Sequence, residues 1–207
     1  FLLFPRFAPL WGIPGDAMTG RSGLSSTMQV GNMAALALDE TIAFRVRWQG
    51  EPPPQYDLYW RGPVLTQFDG REWRPLIARL QSRFPPPSIG DPQLVVSGTP
   101  IDYEITLEPH NRPWLLTLDA AARPPTVPGM DAAMTGELQW LASRPITDLV
   151  RYRASSHTAF RYGPQLRGAV LPEYTQLPPG FNPRTLALAQ DLARQNPGAD
   201  APMLVQA

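Results

Sequence analysis

Polar and apolar positions alternate in three stretches of the chain. In "TIAFRVRW", Ile42, Phe44, Val46 and Trp48 alternate with Thr41, Ala43, Arg45 and Arg47. "IDYEITLEP" sets Ile101, Tyr103, Ile105 and Leu107 against Asp102, Glu104, Thr106 and Glu108. "DLVRYRASS" sets Val150, Tyr152 and Ala154 against Arg151 and Arg153. Successive side chains of a strand point to opposite faces, so this period of two predicts half-buried strands, each with one wet face. The wet faces are basic, acidic and basic in turn. Opposite charges across a strand pair contribute only about 0.2–1 kcal/mol each. They still bias pairing, so the acidic strand 102–108 is expected beside an arginine-faced one.

Shorter strands are expected at Tyr56–Arg61, Val64–Phe68, Trp114–Leu118 and Glu137–Ala142. Many short strands punctuated by Pro and Gly predict a mainly β fold, an antiparallel β-sandwich or open barrel. One-sided alternation argues against a parallel sheet, whose strands are apolar on both faces. Within "FDGREW", Asp69-Gly70 is a favoured two-residue hairpin turn, since type I′ needs positive φ at both central positions. That register sets Phe68 opposite Arg71 and Thr66 opposite Trp73, with Trp73 packed on the sheet. Asp69, Gly70, Trp73 and Trp60 are therefore read as structural. The competing reading makes Trp60, Trp73 and Trp114 a platform on which a ligand stacks, with Tyr56, Tyr59 and Trp140 as further members of a sugar-stacking surface.

The grammar changes after Pro178-Pro179-Gly180. Asn182 is placed to cap a helix and Pro183 to begin it. Leu188, Ala189 and Leu192, with Thr185 or Leu186, fall on one face, and Asn196-Pro197-Gly198 stops the helix. Asp200 then caps a second helix with Pro202 early in it. This predicts a short α-helical C-terminal segment that opens a further domain.

Composition narrows the function classes. The 207 residues include 26 prolines, many in clusters that exclude long helices through them. Net charge is zero, without the basic stripe that nucleic acid requires. All 18 cations are arginine, a bias that by itself marks no phosphate site. With no cysteine there is no disulfide, thiolate metal site or cysteine nucleophile in the chain. Phe1-Leu2-Leu3-Phe4 is far short of the about 20 residues that cross a bilayer. With Arg6 and Trp11 behind it, it fits either the interface end of a membrane span or an apolar N-terminal arm.

Candidate chemistry is sparse. His110 and His157 are too few for a zinc site and lack a His-x-x-x-His spacing. A triad drawn from Ser155 or Ser156 and His157 lacks the Gly-x-Ser-x-Gly elbow. Asp102 and Glu104 lie on one strand face about 7 Å apart, a glycosidase-like separation, yet a solvated strand face explains them as well. No catalytic, metal or cofactor-binding residue is assigned, and no cofactor is expected.

Four stretches in order, "FLLFPRFAPLWGIPG", "GRSGLSSTMQVGNMAALALDETIAFRVRW", "LYWRGPVLTQFDGREW" and "FNPRTLALAQDLA", resemble the TgpA-type bacterial transglutaminase-like membrane proteins. The resemblance is densest over residues 1–75 and slight over 76–145. It implies membrane spans upstream, a periplasmic β-rich domain, and a transglutaminase-like domain with a Cys-His-Asp triad followed by a further span. The triad's Gly-x-Cys falls past Ala207, so no catalytic residue carries over, and neither histidine matches the family's. The implied division is 1–35 membrane-proximal lead-in, 36–177 β-rich domain, and 178–207 linker and first helices of the catalytic domain. The implied location is the periplasmic side of the bacterial inner membrane. The implied partners are the downstream catalytic domain and spans of the same polypeptide, with envelope protein or peptide as substrate. By this resemblance the chain is a non-catalytic domain that positions an acyltransferase or cysteine protease. The alternative is an envelope glycan- or protein-binding β-sandwich module.

Overall fold

A computed structural model describes residues 24–25, 27–29, 31, 40–75, 94–163, 174–200 and 203–204. The expectations for the N-terminal span end, the helical turn in "MAALALDE" and the proline cluster 85–87 lie outside the described residues. The strands are β1 (Met28–Gln29), β2 (Phe44–Trp48), β3 (Trp60–Arg61), β4 (Gln67–Phe68), β5 (Glu72–Arg74), β6 (Leu94–Ser97) and β7 (Ile101–Leu107). They continue as β8 (Trp114–Leu115), β9 (Thr117–Leu118), β10 (Ala132–Met134), β11 (Trp140–Ala142), β12 (Val150–Ser156) and β13 (Ala159–Tyr162). Helix α1 (Pro183–Gln195) comes after them. Every named strand pairing is antiparallel. The chain is thus mainly β, with a helical C-terminal segment.

The three alternating stretches form one sheet in the order β12-β7-β2. Its register aligns the apolar rows Phe44–Leu107–Val150, Val46–Ile105–Tyr152 and Trp48–Tyr103–Ala154. These rows make one wall of the core, where Tyr103, Ile105 and Leu107 are fully buried. Ile42 is an exception: strand pairing starts at Phe44, which leaves Ile42 54% exposed. On the outer face Glu104 lies opposite both Arg47 and Arg153. It forms ion pairs with Arg151 and Arg153, each at 3.7 Å, while Arg45 holds Glu108 at 2.5 Å. The acidic strand therefore has an arginine-faced neighbour on each side.

The opposite wall comes from residues 113–142. Sheet β10-β11-β8 and the β3–β9 pair bring Trp114, Leu115, Leu118, Trp140 and Leu141 against the first sheet. Residues 114–118 do not make the single strand expected. They split at Leu116 into β8, which pairs with β11, and β9, which pairs with β3. The Leu116 carbonyl instead accepts the buried Tyr152 hydroxyl at 2.7 Å. The strand expected at Tyr56–Arg61 shrinks to Trp60–Arg61, because Gln55–Asp57 winds into a 3₁₀ turn behind Pro54. The strand expected from Glu137 begins at Trp140, since Thr135–Gln139 closes a turn with Leu138 at φ 61°.

The "FDGREW" hairpin forms with its turn centre moved one residue along, so each pairing partner shifts by two. Phe68 pairs with Trp73 and Gln67 with Arg74, which centres the turn on Gly70-Arg71. The Asp69 carboxylate is the cause. Its Oδ1 accepts the Arg71 and Glu72 amides at 3.0 and 2.9 Å, so Asp69 flanks the turn instead of occupying its centre. Part of the irregular lead-in also proves ordered: Met28 and Gln29 pair with Trp73 and Glu72 as a third strand.

Helix α1 begins at Pro183 as expected. Asn182 sits at φ 51°, ψ 49° and makes no side-chain cap bond, because capping by its amide needs an extended backbone there. Its carbonyl starts the ladder by accepting the Leu186 amide at 3.1 Å. Asn196 closes the helix on the Leu192 carbonyl. Asp200 does act as a cap, its Oδ1 accepting the Met203 amide at 3.0 Å.

Candidate functional site

Apart from Ser155 and His157, which line one hollow, the side chains singled out from sequence do not converge. Ser156 is fully buried and is spent on structure. The Leu118 amide donates to the Tyr103 hydroxyl at 2.8 Å, and Tyr103 and Ser156 lie 2.8 Å apart. Ser156 Oγ donates to the Leu118 carbonyl at 2.5 Å, which makes Tyr103 the donor to Ser156 and closes a ring of bonds around Leu118. Burial pushes the Tyr103 phenol up to about 12 and raises that of Tyr152 as well. A serine in this ring is no nucleophile, and Ser155 points to the other face of β12.

His110 is equally committed. Its Nδ1 accepts the Arg112 amide at 3.3 Å, so Nε2 carries the proton and donates to the Trp114 carbonyl at 3.2 Å. Burial holds its pKa below the usual histidine value, and the neutral ring lies stacked beside Trp114. His157 is tied through its backbone to Ala120 in both directions. Its Nδ1 is buried with no protein partner, beside a hollow of roughly 290 Å³ walled by Val96, Pro100, Ala122, Arg123 and Ser155. Glu104 is engaged by two arginines on an open sheet face, and Asp102 is exposed. That face encloses no substrate between the two carboxylates. Among the described residues no cluster of histidine, aspartate or glutamate is arranged to hold a metal ion.

The three tryptophans of the proposed platform lie in different surroundings. Trp114 is fully buried, so it cannot stack on a ligand. Trp60 packs edge-on to Phe44 and Tyr103 and tilted against Trp48, at centroid distances of 5.0, 5.5 and 6.0 Å, inside the core cluster. Trp73 packs on its own sheet by stacking on Phe68 at 4.8 Å, apart from the main core, and remains 36% exposed. Among the described residues the most exposed aromatics are Tyr56 and Tyr59, at 85% and 61%.

The strongest polar constellation was not marked by any local signal. Arg61 makes a two-pronged pair with Asp119: Nε to Oδ1 at 2.8 Å and Nη2 to Oδ2 at 2.7 Å. Its Nη1 donates to the Glu137 carbonyl at 3.3 Å, and its guanidinium lies 5.7 Å from the Tyr59 ring. The hydrogen bond to Asp119 raises the arginine's pKa further. Around Glu137, Tyr162 donates to the Gly136 carbonyl and Tyr174 to Glu137 Oε1. This network ties the segments around residues 61, 119, 137, 162 and 174 together.

The geometry defines a β-rich domain in which Ser156 and His110 are absorbed in its own packing. Residues 1–162 match the family model described as the TgpA N-terminal domain, and the chain belongs to that family. It is 33% identical to a protein-glutamine gamma-glutamyltransferase of Pseudomonas aeruginosa, over all of this chain but only 30% of that protein. It is also similar to two crystal structures of the periplasmic domain of TgpA from the same organism, one bound to ethylmercury. Their TM-scores are 0.71 and 0.70 at 28% and 29% identity, covering 89% and 88% of this chain and 60% and 59% of those chains. The likeness supports an accessory domain of a transglutaminase-like protein with a periplasmic location. Among the described residues no helix is long and apolar enough to cross a membrane.

Proposed function

We propose that this chain is the non-catalytic β-domain of a membrane-anchored transglutaminase-like protein, and that it positions the catalytic domain. In this reading residues 1–35 lead in from a span, 36–177 form the domain, and 178–207 open the catalytic domain. The observation that carries it is the commitment of Ser156 and His110 to buried hydrogen bonds and of Glu104 to ion pairs on the sheet surface, in a chain without cysteine, joined to the family match. The thiolate chemistry then belongs to a downstream Cys-His-Asp domain, where histidine activates the cysteine and aspartate orients the histidine. Sequencing the reading frame past Ala207 tests this. A Gly-x-Cys before a helix, then His and Asp and an apolar span, is the expected result. A stop codon or an unrelated domain overturns it.

A second reading, an envelope glycan- or protein-binding module, is favoured by the exposure of Tyr56 and Tyr59. It requires a shift of the chain's tryptophan fluorescence on adding envelope glycan, and fails without it.

A further inference from the structure

We infer that residues 174–181 form a clamp, fastened to the β-domain at two points, that fixes the direction in which α1 leaves. The inference rests on the positioning role proposed above and names the contacts that would perform it.

The first fastening is at the hairpin. Gly70 has φ +103°, and a Cβ there would come within 2.5 Å of the Phe181 ring. The ring therefore lies directly on bare turn backbone, in space that only glycine leaves open. Asp69 holds the turn in shape through its own amide bonds, without help from Phe181. Between the hairpin and the strap runs a groove of roughly 370 Å³, with Phe68, Asp69 and Arg74 on one side and Gln176, Pro178 and Pro179 on the other. The second fastening is Tyr174, whose hydroxyl donates to Glu137 Oε1 at 2.6 Å. Glu137 is in turn bound through its carbonyl to Arg61, and Arg61 to Asp119.

The strap between these points is stiff. Pro178 and Pro179 have fixed φ, and Pro183 locks the first position of the helix. The helix itself adds no buried residue. Its direction is therefore set by the strap's two fastenings, and Gly70 and Phe181 are positioning residues.

The chain has no cysteine, so Gln49→Cys, just past β2, and Gln190→Cys, in α1, create a unique pair of thiols for spin labels. Dipolar spectroscopy of the labelled 207-residue chain is expected to give one narrow distance distribution. Phe181→Ala is expected to broaden it at least twofold without changing the thermal melt of the β-domain. Phe181→Leu should keep it narrow, and Tyr174→Phe should broaden it by less than Phe181→Ala. A distribution in Phe181→Ala that superimposes on the parent overturns the clamp. If that variant does not fold, an unchanged distribution in Tyr174→Phe does so instead. Amine incorporation by the full-length protein separates the two ideas. A broadened helix with undiminished activity keeps the clamp and removes the positioning role. A narrow distribution with lost activity removes the clamp and leaves the role.

Discussion

At the scale of single residues, the ring of bonds from the Leu118 amide through Tyr103 and Ser156 to the Leu118 carbonyl decides how the two walls of the core meet. Tyr103→Phe leaves a buried amide and a buried hydroxyl short of partners. A loss of about 1–3 kcal/mol is expected, measured by urea unfolding with an unchanged slope. Linkage gives a second expectation. The folded Tyr103 phenol titrates at about 12, above the ordinary value of 10. Its contribution is whole below pH 10 and is lost as pH rises through 12. The melting temperature should hold to pH 10 and fall between 10 and 12, and a melt unchanged across that window would contradict the assignment. His110 acts on the acid side: its lowered folded pKa makes the unfolded chain take up a proton first. Stability should therefore decline as pH falls below 6.5. The period-two pattern was enough to show that Tyr103 points inward. It could not show the ring, whose members are contributed by three separated segments. For the same reason the sequence argues against a Ser156 triad by the missing elbow and not by the serine's partners, and it carries no sign of the Arg61–Asp119 pair.

At the scale of elements, local signals served well where each residue's partner lies across a regular ladder. The β2, β7 and β12 stretches paired as their charges directed. Glu104→Gln removes attraction to two exposed arginines. It should cost less than about 1 kcal/mol, less still at high salt, as read from melts at low and high ionic strength. A loss that is large and independent of salt would show that packing, not charge, holds Glu104. Local signals misled where a side chain competed for backbone groups. Asp69 captured the amides that a centred Asp-Gly turn would have used elsewhere, shifting the register and bringing Phe68 opposite Trp73. Asn182 shows the converse, a residue of good capping chemistry held at a φ where its amide does not cap. Neither outcome is written in the residue types alone, because both depend on how the neighbouring chain approaches.

At the scale of the molecule, residues 113–142 supply a wall of the core that carried almost no recognisable motif. Its strands are two or three residues long, and those of β8, β9 and β11 are buried on both faces, so they lack the alternation that marks a half-wet strand. Trp114 fills the centre of that wall. Trp114→Ala should cost about 3–5 kcal/mol, enough to unfold the domain or lower its melt steeply, whereas a ligand-stacking tryptophan would be removed with little change. The central claim is that the domain carries no chemistry of its own and serves a catalytic domain beyond it. The most direct test is incorporation of a labelled primary amine into a glutamine-containing peptide by the purified 207-residue chain, beside the full-length protein. The account predicts turnover by the full-length protein and none by the chain, and turnover by the chain alone would contradict it.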